Sequence, residues 1–399
     1  MNTALRHYLL ITGNYWAFTL TDGAIRMLVV LHFHQLGYSP LDIALLFLFY
    51  EFFGIVTNLV GGWLGARMGL NLTMQIGTAL QVGALLMLTV PESLLSVPYV
   101  MAAQALSGIA KDLNKMSAKA GVKLVAGASD EKLFRWVAWI TGSKNALKGV
   151  GFFLGGLLLA LLGFAGALYA LAGLLFLSLL MTLTLPRGLG ALREKPGFSA
   201  IFARDPAINL LSGARFFLFG ARDVWFVVAL PVFLSGPLGL SFEAVGAFLA
   251  LWVIGYGIVQ AAAPRVLRAR ERNPGAGTVT LWTFALTAIP SGIALALVAG
   301  WPPLWTLIVG LTLFGVLFAI NSSLHSYLIL RYSDFDKAAL NVGFYYAANA
   351  GGRLAGTVLS GWAYQVYGLE GCLLISSALL LSAALIAAVL AQREHKAQG

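Results

Sequence analysis

Nine ionisable side chains stand inside long apolar runs of this sequence: Asp22, Arg26, Glu51, Lys144, Lys148, Arg215, Arg222, Asp223 and Arg353. An ionised group near a bilayer centre costs about 2.5–3.5 kcal/mol on insertion scales, so such residues are functional candidates by default. Six are cationic and three anionic, and pairing among themselves leaves positive charge over. That excess asks for an anion. Asp22 and Arg26 are four apart and either pair along one helix face or leave Arg26 available. Lys144 and Lys148 are like charges four apart, a destabilising arrangement unless an anion or carboxylate sits between them. Arg222 and Asp223 are adjacent and point about 100° apart on a helix, so they are not expected to satisfy one another, which favours Arg222 as a ligand. Arg215 shares a face with Arg222 but lies roughly 10 Å away along the helix. It reads as a gating or inner-mouth contact, or as half of a structural ion pair.

Other polar groups accompany these charges. Lys111, Lys115 and Lys119 form a stripe at helical spacing, interrupted by Asp112. The stripe is either a snorkelling, lipid-contacting face or a funnel that concentrates an anionic solute at a gate. Tyr15, Trp16, Tyr50, Tyr345, Tyr346 and Asn349 suit a site that clamps charge with Arg and Lys and orients hydroxyls with Tyr and Asn. Tyr and Trp are also ordinary interfacial anchors. His32 and His34 read as interfacial, whereas His325, with Asn321, Ser322 and Ser323, is a candidate for hydrogen bonding to solute or for carrying a proton. Asp22, Glu51 and Asp223 are the proton-coupling candidates. No metal-ligand cluster and no nucleophile–base signature is visible, and Cys372 is the single cysteine, so neither an enzyme, nor a cofactor, nor a disulfide framework is expected.

The elements that must position these residues are membrane spans. The chain is 59% hydrophobic and 11% charged, with mean hydropathy +0.84, too apolar for a soluble globule of 399 residues. Twelve apolar spans are predicted, at about 8–34, 41–65, 71–90, 98–118, 136–162, 165–185, 207–234, 242–264, 278–299, 304–330, 341–367 and 371–391, each long enough to cross a hydrocarbon layer of about 30 Å. The even-numbered connections hold the basic residues: Arg67; Lys119, Lys123, Lys132 and Arg135; Arg187, Arg193, Lys195 and Arg204; Arg265, Arg268, Arg270 and Arg272; Arg331 and Lys337. The odd-numbered ones carry only Asp42, Glu92, Glu243 and Glu370, so both termini are expected in the cytoplasm. The net charge of +10 then reads as loops beside an anionic leaflet, with membrane lipids and not nucleic acid as the partner. The first apolar run is too long for a signal peptide and is expected to be retained. A polar stretch divides the chain into an N-terminal six-helix bundle (1–186), a cytoplasmic linker (187–206) and a C-terminal six-helix bundle (207–399).

Two six-span halves around a central linker resemble the major facilitator superfamily, an all-α membrane fold of twelve transmembrane helices in two pseudo-symmetric bundles. The loop Gly61-Gly62-Trp63-Leu64-Gly65-Ala66-Arg67-Met68-Gly69 resembles that superfamily's G-x-L-x-D-R-x-G signature, with Ala66 in place of Asp. Gly149, Gly151, Gly155 and Gly156 resemble the glycine-rich span five of its antiporters without the proline, although close packing through small residues is the first reading. The resemblance implies that spans one, two, four, five, seven, eight, ten and eleven surround a cavity and that three, six, nine and twelve mostly face lipid. All nine charges fall on the cavity-lining set. Arg26 and Arg222 occupy pseudo-equivalent spans, as do Lys148 and Arg353, so two cations from each half are expected to converge on one site.

A narrower resemblance runs along nearly the whole chain. Leu20-Thr21-Asp22-Gly23 through Arg26-Met27, His32-Phe33-His34, Tyr50-Glu51-Phe52-Phe53-Gly54, Lys111-Asp112 with Lys115 to Lys119, and Gly142-Ser143-Lys144-Asn145-Ala146-Leu147-Lys148-Gly149 are similar to the bacterial organoarsenical efflux permease family, ArsJ. That resemblance implies an inner-membrane permease exporting 1-arseno-3-phosphoglycerate, the unstable ester formed when a glyceraldehyde-3-phosphate dehydrogenase uses arsenate, and thereby conferring arsenate resistance. The charge pattern makes Arg26, Lys144, Lys148, Arg222, Arg353, Tyr346 and Asn349 the candidate ligands of such a substrate, with Lys111, Lys115 and Arg215 as entry or gating contacts. Charge alone does not distinguish this solute from another organophosphate or an organic anion. A non-transporting membrane sensor is the remaining alternative, against which the scarcity of extramembrane mass argues.

Overall fold

The computed structural model describes residues 3–68, 70–121, 130–185, 205–270, 274–332 and 338–398. Most of the central linker, Gly69 of the loop signature, and Lys123, Arg187, Arg193, Lys195, Arg204, Arg272 and Lys337 lie outside these residues, as do the side chains of Arg67, Lys119, Lys132, Arg135, Arg265, Arg268 and Arg270. Among the described residues the chain is helical, as a lipid environment demands: only a helix satisfies its backbone groups within one segment. In order come α1 (Thr3–Gln35), α2 (Pro40–Leu46), α3 (Leu48–Met68), α4 (Leu70–Met87), α5 (Val97–Gly121), α6 (Asp130–Thr182), α7 (Pro206–Phe226), α8 (Ala229–Ser235), α9 (Phe242–Arg270), α10 (Ala276–Val298), α11 (Pro303–Arg331) and α12 (Ala338–Gln398).

Each predicted span falls on helix, but helices and spans do not correspond one to one. The fifth and sixth spans are the two legs of α6, which breaks at Gly163, and the eleventh and twelfth are the legs of α12, which breaks at Gly368. Both glycines have positive φ, +68° and +69°, a conformation that a residue with a Cβ adopts only with strain. Span two is divided at Phe47 into α2 and α3, and span seven after Phe226 into α7 and α8. The second break has a clear cause, because Pro231 lacks an N–H and its ring collides with the carbonyl four residues back. Ser360 of α12 repairs it: its hydroxyl accepts from the backbone N–H groups of Val228 and Ala229 at 3.3 and 3.1 Å. Seven described segments are individually long and apolar enough to cross a membrane, including both two-legged helices. Leu251, Leu281 and Val298 are 71%, 70% and 75% exposed, which is appropriate to side chains whose solvent is lipid. The span over Pro206–Ser235, with its three charges, is the most buried of the seven, and that over Ala276–Val298 is the least.

Contacts group the chain into two compact units. The first comprises 1–32, 49–200 and 241–254; the second comprises 33–48, 201–240 and 255–399.

In the first unit, α1 and α6 approach backbone to backbone. A Cβ on Gly151 would lie 2.3 Å from the Leu20 carbonyl oxygen, and one on Gly155 would lie 2.6 Å from that of Ala24. The span-five glycines are therefore packing residues. In the second unit, α7 and the first leg of α12 meet likewise, a Cβ on Gly352 falling 2.0 Å from the Phe216 carbonyl oxygen. Far from this crossing, Glu394 of α12 accepts from the Tyr332 hydroxyl and from the Ala276 backbone N–H, joining the ends of α10, α11 and α12. Burial first, and then this carboxylate, push the Tyr332 hydroxyl well above its ordinary pKa.

Candidate functional site

The glycine crossing in the first unit sets Asp22 of α1 against Lys148 of α6. Lys148 Nζ lies 3.4 Å from Asp22 Oδ2, and the Tyr50 hydroxyl of α3 donates to Asp22 Oδ1 at 2.5 Å. Arg26, one turn along α1, donates through Nη2 to Glu51 Oε1 at 2.8 Å; the two side chains are 5% and 0% exposed. Asp22 and Arg26 each take a partner from another helix. The Tyr50 ring has the Arg26 guanidinium 4.9 Å and the Lys111 ammonium 4.0 Å from its centroid, so it is a cation–π platform as well as a donor. Gly108 makes this possible, because a Cβ there would fall 2.3 Å from the Tyr50 carbonyl oxygen.

On α5 the residue that interrupts the lysine stripe is its counter-ion. Asp112, 1% exposed, lies 3.3 Å from Lys115 Nζ and 4.0 Å from Lys111 Nζ. Lys115 also donates to Asn58 Oδ1 at 2.9 Å. Both lysine side chains are only 16% exposed, which disfavours the snorkelling reading. Lys144, half-buried, stands one turn before Lys148 on α6, and the carboxylate expected near that pair is Asp22, which contacts Lys148.

The second unit repeats the arrangement with arginine. Asp223 of α7, fully buried, accepts from Arg353 Nε of α12 at 3.0 Å and from Arg222 Nε at 2.6 Å. The expectation that Arg222 and its neighbour do not satisfy each other is thus overturned. The Cα vectors of adjacent residues diverge, but the long arginine stem curls back to bring its guanidinium over the next side chain. Phe219, Phe318 and Phe226 stand 4.9, 5.5 and 5.8 Å from this guanidinium.

Arg215 differs. It is 5% exposed, and among the described residues no carboxylate lies within ion-pair distance of it. The structural ion pair considered for it is absent there. Its Nε donates to Asn349 Oδ1 at 3.0 Å and its Nη1 to Ser322 Oγ and O at 3.2 and 3.3 Å. Its guanidinium lies 3.9 Å from the Phe219 ring centroid and 5.2 Å from that of Tyr345.

Some expected contacts have other work. Asn321 accepts from Thr283 at 2.8 Å and ties α11 to α10. Ser323 donates to the Gln260 carbonyl, and Trp16 donates to Ser143. Tyr346 packs against the apolar cluster containing Ile208, Leu324 and Leu390. His32 stacks on Phe164 at 4.0 Å and lies 3.8 Å from Glu92, which fits an interfacial position. Sequence reasoning passed over Asn58, Tyr256 and Gln260. Asn58 follows Thr57 in α3, and Tyr256 and Gln260 stand four apart in α9; uncharged polar groups in long apolar helices do not stand out, and only their placement beside a charge gives them meaning.

Nearly all-helical construction among the described residues, with ionisable groups buried among helices long and apolar enough to cross a membrane, defines a multi-pass membrane protein. Residues 11–292 match the family described as Major Facilitator Superfamily, and the chain belongs to it. A crystal structure of the nucleoside transporter NupG is similar at TM-score 0.75 and 15% identity, covering 98% of this chain and 100% of that one. A structure described as giving structural insights into substrate recognition in proton dependent oligopeptide transporters is similar at TM-score 0.74 and 15% identity, covering 98% of each. At that identity the likeness concerns the fold. No curated protein sequence matches the chain.

Proposed function

We propose that this transporter exports an organic oxyanion, 1-arseno-3-phosphoglycerate, from the cytoplasm across the bacterial inner membrane. The observation that carries the anion class is the surplus of buried positive charge. Among the described residues within the membrane spans, Arg26, Lys111, Lys115, Lys148, Arg215, Arg222 and Arg353 are set against Asp22, Glu51, Asp112 and Asp223, with Lys144 a further cation. A surplus kept out of water is costly unless a ligand completes it. The particular ester rests on the resemblance of the N-terminal motifs to the organoarsenical permeases. With it comes the functional partner, a glyceraldehyde-3-phosphate dehydrogenase that makes the ester from arsenate.

In this reading Arg26, Lys144, Lys148, Arg222, Arg353, Tyr346 and Asn349 bind the solute, Lys111 and Lys115 govern its access, and both termini lie in the cytoplasm. Asp22, Glu51 and Asp223, each bonded to a cation, are positioned to exchange that partner for a proton as solute arrives, which would couple export by alternating access to the proton gradient. Another organophosphate or a dicarboxylate fits the same charge. Counterflow in proteoliposomes loaded with 3-phosphoglycerate, a sugar phosphate or succinate separates these: exchange restricted to the three-carbon phosphoester supports the proposal, and exchange of succinate alone contradicts it. No exchange of any solute favours the sensor.

A further inference from the structure

In the second unit, Arg222 and Arg353 share the carboxylate of Asp223, whereas Arg215 is held by neutral acceptors alone. Among the described residues its Nη2 makes no hydrogen bond, so one corner of the guanidinium, with two N–H donors, remains unspent. The surroundings are donor-rich. Arg215 Nη1, Gln260 Nε2 and Tyr256 Oη converge on Ser322 Oγ at 3.2, 3.3 and 3.3 Å, although a hydroxyl oxygen accepts at most two hydrogen bonds. One turn along α11, His325 is fully buried with neither ring nitrogen hydrogen-bonded, and in either tautomer it carries another N–H. The faces of Phe219 and Tyr345 lend this guanidinium a weak negative field but accept none of its protons. A neutral solute would leave the charge uncompensated, and a cation would add to it. An oxyanion supplies both the missing charge and the missing acceptors.

We infer that Arg215 joins Arg222 and Arg353 as a direct ligand with which the second unit grips an oxyanion of the solute, Ser322, Asn349 and His325 orienting it, and that it is not a gating contact. The inference rests on the anion-transport reading and names the group within it. Phosphoryl and carboxylate groups share the required chemistry, and the test separates them.

The full-length protein in detergent is melted, followed by tryptophan fluorescence, while inorganic phosphate, 3-phosphoglycerate or succinate is titrated. Wild type, Arg215→Gln and Arg215→Lys are compared. The expected result is saturable stabilisation of wild type, by phosphate and 3-phosphoglycerate if the group is phosphoryl and by succinate if it is carboxylate. Arg215→Gln should weaken the apparent affinity at least tenfold while melting no lower than wild type without anion, because it removes an uncompensated buried charge. Arg215→Lys keeps the charge but not the planar fork and should weaken binding several-fold, which keeps the test decisive if Arg215→Gln does not fold. Undiminished affinity in folded Arg215→Gln or Arg215→Lys would make Arg215 a structural strut and overturn the inference, leaving the anion reading intact. No saturable response of wild type to any of the three would overturn both.

Discussion

Lys148 Nζ stands 3.4 Å from Asp22 Oδ2, joining the fifth span to the first. The second unit has its counterpart: Arg353 Nε is 3.0 Å from Asp223 Oδ2, joining the eleventh span to the seventh. In both, the ion pair sits beside a glycine crossing close enough for backbone contact, at Gly151 and at Gly352. An ion pair between two helices is strongest where the helices cannot part, and the glycines hold them together at that level.

Asp22→Asn should leave Lys148 without its carboxylate and lower stability by about 3 kcal/mol, the low end for a broken buried pair because the lysine is 20% exposed. Asp22→Asn combined with Lys148→Gln should recover part of the loss. A thermal-unfolding double-mutant cycle checks this, and simple additivity would mean that the pair is not coupled.

Gly151→Ala and Gly352→Ala should each cost about 1–3 kcal/mol or prevent folding, because the added methyl meets a carbonyl oxygen and not a movable side chain tip. Gly13→Ala, where nothing lies within 4 Å of the new Cβ, should change stability by no more than about 1 kcal/mol, in the favourable direction. Size-exclusion profiles and melting temperatures of the three variants give the comparison.

Ser360→Ala removes the acceptor of the Val228 and Ala229 N–H groups, which no longer find intrahelical partners at the break before Pro231. A loss of about 1–2 kcal/mol is expected. Ser360→Thr, which keeps the hydroxyl, should retain part of the stability unless its extra methyl cannot be housed.

Much of this arrangement was legible beforehand, and the failures are instructive. Span positions follow from apolar length alone, and the glycines of span five read correctly as packing residues. Partners across helices do not follow, because they depend on each helix's rotation and depth, which one sequence does not fix: spacing offers Asp22 the partner Arg26, four residues away, and gives no sign of Lys148. The adjacency of Arg222 and Asp223 misleads when side chains are treated as short radial vectors, because the long arginine stem bends back to its neighbour. Asp112 was visible only as a gap in a lysine stripe until burial showed it to be the stripe's counter-ion.

Glu51→Gln should remove the dependence of transport on the proton gradient while leaving Arg26 a neutral acceptor at the same position. Uptake into vesicles with and without an imposed pH difference reports it. A variant that still responds to the gradient like wild type would remove Glu51 from the coupling path.

The most direct test of the central claim is arsenic uptake into inverted membrane vesicles carrying the protein. They are supplied with arsenate, glyceraldehyde 3-phosphate, NAD and the dehydrogenase, and the same mixture without the enzyme is the control. Export of the arsenate ester predicts arsenic and phosphorus accumulating together, and only in the complete mixture. Equal uptake of arsenate without the dehydrogenase, or no uptake from either mixture, would contradict it.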